Sequence, residues 1–214
     1  APGYGAQALP WKTMNYAAKN ALAWSTINVS SGIYKEVVVP INLFTTYKAV
    51  GRVVLTGDIN DDGLPDLPDG FRLRNVSGTR IQGFLVEKFQ NFGISGEEAP
   101  STVISSNVVS GNGSDNINLV NANDSLIESN ICSNGQHGIY VSGSGVVLRY
   151  NVVYGNTVGG ISLYGIGNKI HNNTIYVNGY GLAVGVGEWA NDGSNRVVNN
   201  IVVANQAAIL EMLE

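Results

Sequence analysis

One cysteine in 214 residues, Cys132, excludes an internal disulfide framework and any cysteine-rich zinc site. Basic residues are scarce as well. Six Lys and six Arg stand against sixteen Asp and Glu, for a net charge of -4. No cluster among them could neutralise a run of phosphates, so nucleic acid is excluded as the expected partner. No apolar stretch reaches the roughly 18 residues that cross a bilayer. The chain opens on Ala1-Pro2-Gly3-Tyr4 without the basic and apolar regions of a signal peptide, as expected of a soluble, already processed chain. Charged residues make up 13% against 44% apolar, which excludes disorder and supplies one sizeable core.

What the sequence has in excess is glycine and asparagine, 27 and 26 residues, with 19 of the Asn after residue 100. Such bias in a folding chain points to repeats. Asn107, Asn130, Asn151, Asn173 and Asn200 recur at steps of 23, 21, 22 and 27. A second series, Asn112, Asn134, Asn156, Asn178 and Asn205, keeps steps of 22, 22, 22 and 27. An apolar series, Ile94, Ile117, Ile139, Ile161, Leu182 and Ile209, runs in phase with both. Within a unit the apolar period is 2, as in Gly138-Ile139-Tyr140-Val141-Ser142, which predicts strands with one buried face. A unit of about 22 residues holding three short strands cannot bury that face alone. Stacked coils about 4.8 Å apart can, by pairing each strand in parallel with its copies above and below. The predicted fold is all-β, a right-handed parallel β-helix with an N-terminal capping helix. One Asn per coil can pass its amide hydrogen bonds to the next, forming a ladder inside the solenoid.

Solenoid ends need covers. From Thr13 to Trp24, Met14, Ala17, Ala18, Ala21 and Leu22 follow the spacing of an amphipathic helix able to cap the first coil. Lys35–Pro40, Tyr47–Val50 and Arg52–Leu55 read as strands of the opening coils. The division expected is therefore 1–50, cap and first strands, and 51–214, coils. At the other end only Ile209, Leu210, Met212 and Leu213 offer cover, so either the chain continues or its end packs on a partner.

Pro10-Trp11-Lys12-Thr13 leading into the alanine-rich segment, then Gly32-Ile33-Tyr34-Lys35-Glu36-Val37, resembles the opening of secreted right-handed β-helix proteins that act on polysaccharides. These are the pectate lyase, alginate lyase and mannuronan epimerase superfamily. The Asn and Gly-Ile coils resemble its repeat across residues 90–210. The resemblance implies a polysaccharide partner and an extracellular or periplasmic location. Its activity motifs are not reproduced: Asp-Pro-His is missing, and so is a paired Lys and Arg. Gln136-His137-Gly138-Ile139 with Asp115 one coil earlier is similar to polygalacturonases, with Asn116 where their second carboxylate stands.

Three sets of residues carry candidate chemistry. Asp58-Ile-Asn60-Asp-Asp62-Gly63-Leu64-Pro-Asp66-Leu-Pro-Asp69 places oxygen ligands at positions 1, 3, 5, 9 and 12, Gly at 6 and a carbonyl at 7, the spacing of a Ca2+ loop. Five of sixteen acids in twelve residues repel one another unless a cation neutralises them; the other reading is an acidic surface turn. The second set comes from stacking the coils. Phe92, Asp115, His137, Gly159 and Tyr180 should share one outer face with Ser95, Asn118, Tyr140, Ser162 and Ala183. There Asp115, His137 and Tyr140 could abstract and donate protons, while Asn118 and Tyr180 bind the sugar, Tyr180 as a stacking platform. Exposed strands also carry such residues for packing alone. Ser105, Glu128, Arg149, His171 and Val198 form the third column and predict a cross-strand ion pair. Two functions of different class follow: a lyase or epimerase acting on a uronic-acid glycan, or a non-catalytic glycan-binding or structural β-helix.

Overall fold

The computed structural model describes residues 5–6, 8–185 and 194–212. It is a right-handed parallel β-helix of about eight turns with one short helix near its start. Each coil contributes one strand to a seven-stranded sheet: Asp69–Arg74, Phe92–Glu97, Ile117–Val120, His137–Ser142, Gly159–Tyr164, Tyr180–Gly185 and Ala207–Met212. Its other two strands, such as Leu126–Glu128 and Ile131–Ser133, join a fourteen-stranded sheet. Among the described residues all pairings between these strands run parallel, and Ile94, Ile117, Ile139, Ile161, Leu182 and Ile209 lie in one register. From Ile94 to Leu182 this column is wholly buried. So is Cys132, which pairs with Val109 and Val153 as an apolar filler of a neighbouring column.

The residue before each rung of the first ladder has left-handed backbone: Ser106, Ser129, Tyr150, Asn172 and Asn199 have φ between 56° and 61°. That turn sends the following Asn inward. Asn151 is wholly buried and makes four bonds, the full capacity an amide can use in line. Its Nδ2 donates to Asn173 Oδ1 and to the Ile127 carbonyl, both within 3.0 Å, while its Oδ1 accepts from the backbone N and Nδ2 of Asn130. Asn107, Asn130 and Asn173 repeat the pattern, and Asn200 takes the last donation.

The second ladder departs from the sequence register. Asn134 is exposed at φ 57°, in the left-handed turn position that Gly111 and Gly155 occupy on neighbouring coils. The inward position falls to Gly135, which has no side chain to offer. Asn116 fills the gap: its Oδ1 accepts from Asn112 Nδ2, and its Nδ2 donates to Asn156 Oδ1 and the Ser133 carbonyl. Beyond it the series Asn156, Asn178, Asn205 continues as expected.

The cap is shorter than its pattern. The helix spans Met14–Asn20, with Thr13 Oγ1 accepting from Tyr16 N and the Glu36 carboxylate accepting from Met14 N and Asn15 N. It ends where Asn42 Nδ2 donates to the Ala18 and Ala21 carbonyls. Met14, Ala17, Ala18 and Ala21 face the core, but Leu22 is 78% exposed. Lys35–Pro40 forms only the bridge Val38–Phe71, and Thr26–Tyr34 is the strand of that region. The strand Thr46–Thr56 joins the two expected strands and crosses the expected division at residue 50. Ala207–Met212 pairs with Tyr180–Gly185 as a strand of the last coil rather than a cover; Leu213 lies outside the described residues.

Candidate functional site

The seven-stranded sheet gathers the expected face. Pairing sets His137 beside Gly159 and Gly159 beside Tyr180, and Asn118, Tyr140 and Ser162 in line on adjacent strands. Asp115, just before its strand, is buried and acts as anchor. Its Oδ1 accepts from both the backbone N and Nδ1 of His137, at 3.1 and 2.7 Å, and its Oδ2 accepts from Asn118 Nδ2 at 2.6 Å. A carboxylate only accepts, so Nδ1 carries the proton and Nε2 of the neutral ring is left as an acceptor.

Tyr180, two coils on, reaches that nitrogen: its hydroxyl stands 3.0 Å from His137 Nε2 and 2.7 Å from the hydroxyl of wholly buried Ser162. The reach depends on Gly159, because a Cβ there would collide with the Tyr180 ring. Tyr180, the expected stacking platform, is through its hydroxyl also a link in the chain Ser162, Tyr180, His137, Asp115. Tyr140 stands beside this chain, its ring 5.7 Å from that of His137 and 5.4 Å from that of Tyr164. Burial first, then the charge of Asp115, raises the Tyr140 hydroxyl above its ordinary pKa. It therefore stays protonated at neutral pH, which suits a proton donor. Ser162 and Gly159 lay in the expected columns without a role, and Tyr164 lay outside them.

The acidic loop is held differently. Asp58 is buried; its Oδ2 accepts from Lys88 Nζ at 2.8 Å and from Gly63 N, while its Oδ1 has no hydrogen-bond partner among the described residues. Lys88 holds the Asp58 carboxyl below the ordinary carboxylate range. Asp62 accepts from Leu64 N and Asn60 Nδ2, and Asp66 accepts from Ile59 N. Asp69 begins a strand and accepts from Arg72 Nε and Phe92 N. Among the described residues no three His, Cys, Asp or Glu side chains are grouped to hold a metal ion. The expected Glu128–Arg149 pair is present at 2.7 Å, partly exposed and worth about 0 to 1 kcal/mol.

No described helix is long and apolar enough to cross a membrane. No curated protein is matched by this sequence. Among solved structures, the chain superposes on XylC, determined in complex with xylose, with a TM-score of 0.85 and 14% identity, covering 98% of this chain and 61% of that one. Pectate lyase Pel9A gives a TM-score of 0.68 and 14% identity, covering 85% and 57%. A variant of the periplasmic alginate epimerase AlgG gives 0.59 and 16%, covering 86% and 47%. At these identities the likeness is one of fold, and the chain spans about half to three fifths of these neighbours' length. The family model described as "Periplasmic copper-binding protein (NosD)" matches residues 16–210. With nearly its whole length covered by that model, the chain belongs to the NosD family of periplasmic β-helix proteins.

Proposed function

We propose that this chain acts on a uronic-acid polysaccharide as a lyase or epimerase, at the face formed by Asp115, His137, Tyr140 and Tyr180. The observation that carries the reading is the hydrogen-bond chain from Asp115 through His137 to the Tyr180 hydroxyl, with the protonated Tyr140 beside it. The proton on C5 of a uronate passes to the Tyr180 oxygen while the Tyr180 proton passes to Nε2, and Asp115 stabilises the imidazolium so formed. In elimination the C5–H electron pair forms the C4–C5 double bond, the C4–O4 bond breaks, and Tyr140 protonates the departing oxygen. In epimerisation Tyr140 returns a proton to the opposite face of C5. Asn118, whose amide already braces Asp115, offers its remaining polar atoms to the sugar.

A second reading, a β-helix that binds glycan without turning it over, draws support from the Tyr180 hydroxyl, which caps the nitrogen a base would use. Incubation with alginate and polygalacturonate separates the two. Ultraviolet absorbance from unsaturated ends, or an altered C5 configuration by NMR, supports catalysis; neither change, on either polymer, overturns it.

The family's copper does not carry over. Among the described side chains its donors would be His137, His171, Cys132 and Met14, yet the two His lie on different sheets, Cys132 is wholly buried and Met14 is buried on the core side of the cap helix. That donor set does not fit a copper centre.

The Asp58–Asp69 loop enters the proposal as a structural calcium site. The buried, unpartnered Asp58 Oδ1 fits a cation, and Asp58, Asn60, Asp62, the Leu64 carbonyl and Asp66 would hold it. Asp69, engaged by Arg72, is the weakest member of the expected set. The location proposed is outside the cytoplasm, periplasmic or extracellular, in line with the family's description.

A further inference from the structure

The flank of the fourteen-stranded sheet carries a cleft of about 310 Å³ lined by Lys169, His171, Asn172, Arg196, Val198 and Asn199. It shares no residue with the face around His137. Lys169 and Arg196 are directly opposite each other on paired parallel strands, one strand spacing of about 4.8 Å apart. Like charges so placed destabilise a sheet. Among the described residues neither has an acidic partner, although this chain has more acids than bases. The one other basic residue after position 100, Arg149, is taken by Glu128.

The polar groups beside the pair are set in one sense. Asn199 Nδ2 donates to Asn172 Oδ1 at 2.8 Å, which turns the Asn172 amide so that its Nδ2 faces His171 Nδ1 at 3.2 Å. An amide nitrogen only donates, so Nδ1 accepts and the ring proton sits on Nε2. The cleft thus gathers an ammonium, a guanidinium and an imidazole N–H, three donors suited to an anion. Tyr150, half exposed, packs edge-on against His171 with ring centroids 6.1 Å apart and adds an aromatic surface of the kind pyranose rings stack on.

We infer that this cleft is a binding subsite for the carboxylate of a uronic-acid glycan, held by Lys169 and Arg196 with His171 as a third donor. The ligand class is that of the proposed function, but the residues are not, so the two can fail separately.

Affinity electrophoresis of the protein through gels containing alginate or polygalacturonate tests it, with the carboxyl-reduced polymer and dextran sulfate as comparison matrices. Wild type should be retarded by both uronates and not by the carboxyl-reduced polymer. Lys169→Gln and Arg196→Gln should each weaken retardation roughly tenfold or more, the worth of one charge-assisted hydrogen bond. Lys48→Gln, which removes an exposed charge elsewhere, should leave it unchanged. Both cleft substitutions are at exposed positions, and matching melting curves confirm folding. The inference is overturned if wild type passes the uronate gels freely, if Lys48→Gln costs as much as the cleft variants, or if dextran sulfate retards every variant as the uronates do. Cleft-dependent retardation without turnover would keep the subsite and sink the catalytic reading.

Discussion

Replacing Asn151 by Leu removes four hydrogen bonds from the middle of the first ladder while adding a side chain of similar length. Afterwards Asn130 loses the acceptor of its backbone N–H and of one Nδ2 hydrogen, and the Ile127 carbonyl and Asn173 Oδ1 each lose a donor. Asn173 Oδ1 keeps the backbone N–H of residue 151, so the groups left bare number two to three. At about 1 to 3 kcal/mol for each buried unsatisfied group, the loss should come to about 2 to 9 kcal/mol. That is a large share of the roughly 5 to 15 kcal/mol by which a domain is stable. The strands of each coil pair only with those of adjacent coils, so the damage should begin locally and broaden the transition. Urea unfolding followed by circular dichroism reads both quantities. A loss below about 1 kcal/mol with an unchanged slope would refute the view that the ladder is an energetic spine.

The revised second ladder makes a paired prediction: Asn116→Leu should destabilise by about 2 kcal/mol or more, while Asn134→Gly, suited to a φ of 57°, should stay within about 0.5 kcal/mol in the same urea assay. On a uronate that wild type transforms, His137→Ala and Tyr140→Phe should abolish turnover; Gly159→Ala should do so as well by displacing Tyr180, and full activity in that variant would remove Tyr180 from the relay. Cys132, wholly buried and with its thiol pushed up by that burial, should resist a thiol reagent until the protein unfolds. Chelation should lower the melting temperature of calcium-loaded protein and leave Asp58→Asn unmoved. In metal-free protein the depressed Asp58 carboxyl adds stability above about pH 3.9, the ordinary Asp value, and loses it as pH falls through the lower folded value. Melting of wild type and Asp58→Asn should therefore converge in strong acid, and a gap that persists there would assign the difference to packing.

Fold and ladder were legible because identical chemistry returns at each coil, and the columns through Ile117 and Asn151 need only counting. The slip at Asn134 shows where counting stops. Steps of 22 and 22 from Asn112 to Asn156 have the same sum as the 23 and 21 that the coils follow through Gly135. The first series already recorded that unevenness, since Asn107, Asn130 and Asn151 are 23 and 21 apart across the same coils. At the candidate site, Asp115 beside His137 follows from one coil step. The bond from His137 to Tyr180 does not, because it spans two coils and depends on an absent side chain at Gly159, a vacancy no periodic pattern assigns to a function. The acidic loop shows a different limit: its spacing reads as a ligand set, while the ammonium of Lys88 on Asp58 is a contact from 30 residues away.

Solenoid coils invite treatment as interchangeable parts, to be excised, duplicated or traded between relatives. The Asn116 bridge forbids that here. Its amide ties Asn112 on its own coil to Asn156, 40 residues ahead, and it is needed only because the intervening coil carries glycine at 135. Remove that coil, and Asn116 meets a neighbour that already has its own inward amide; duplicate it, and a second glycine gap opens with no spare asparagine to close it. Graft boundaries in this chain therefore have to be drawn around the borrowed rung, keeping Asn112 through Asn156 as one cassette, even though the strand periodicity would permit a cut at either coil junction inside it.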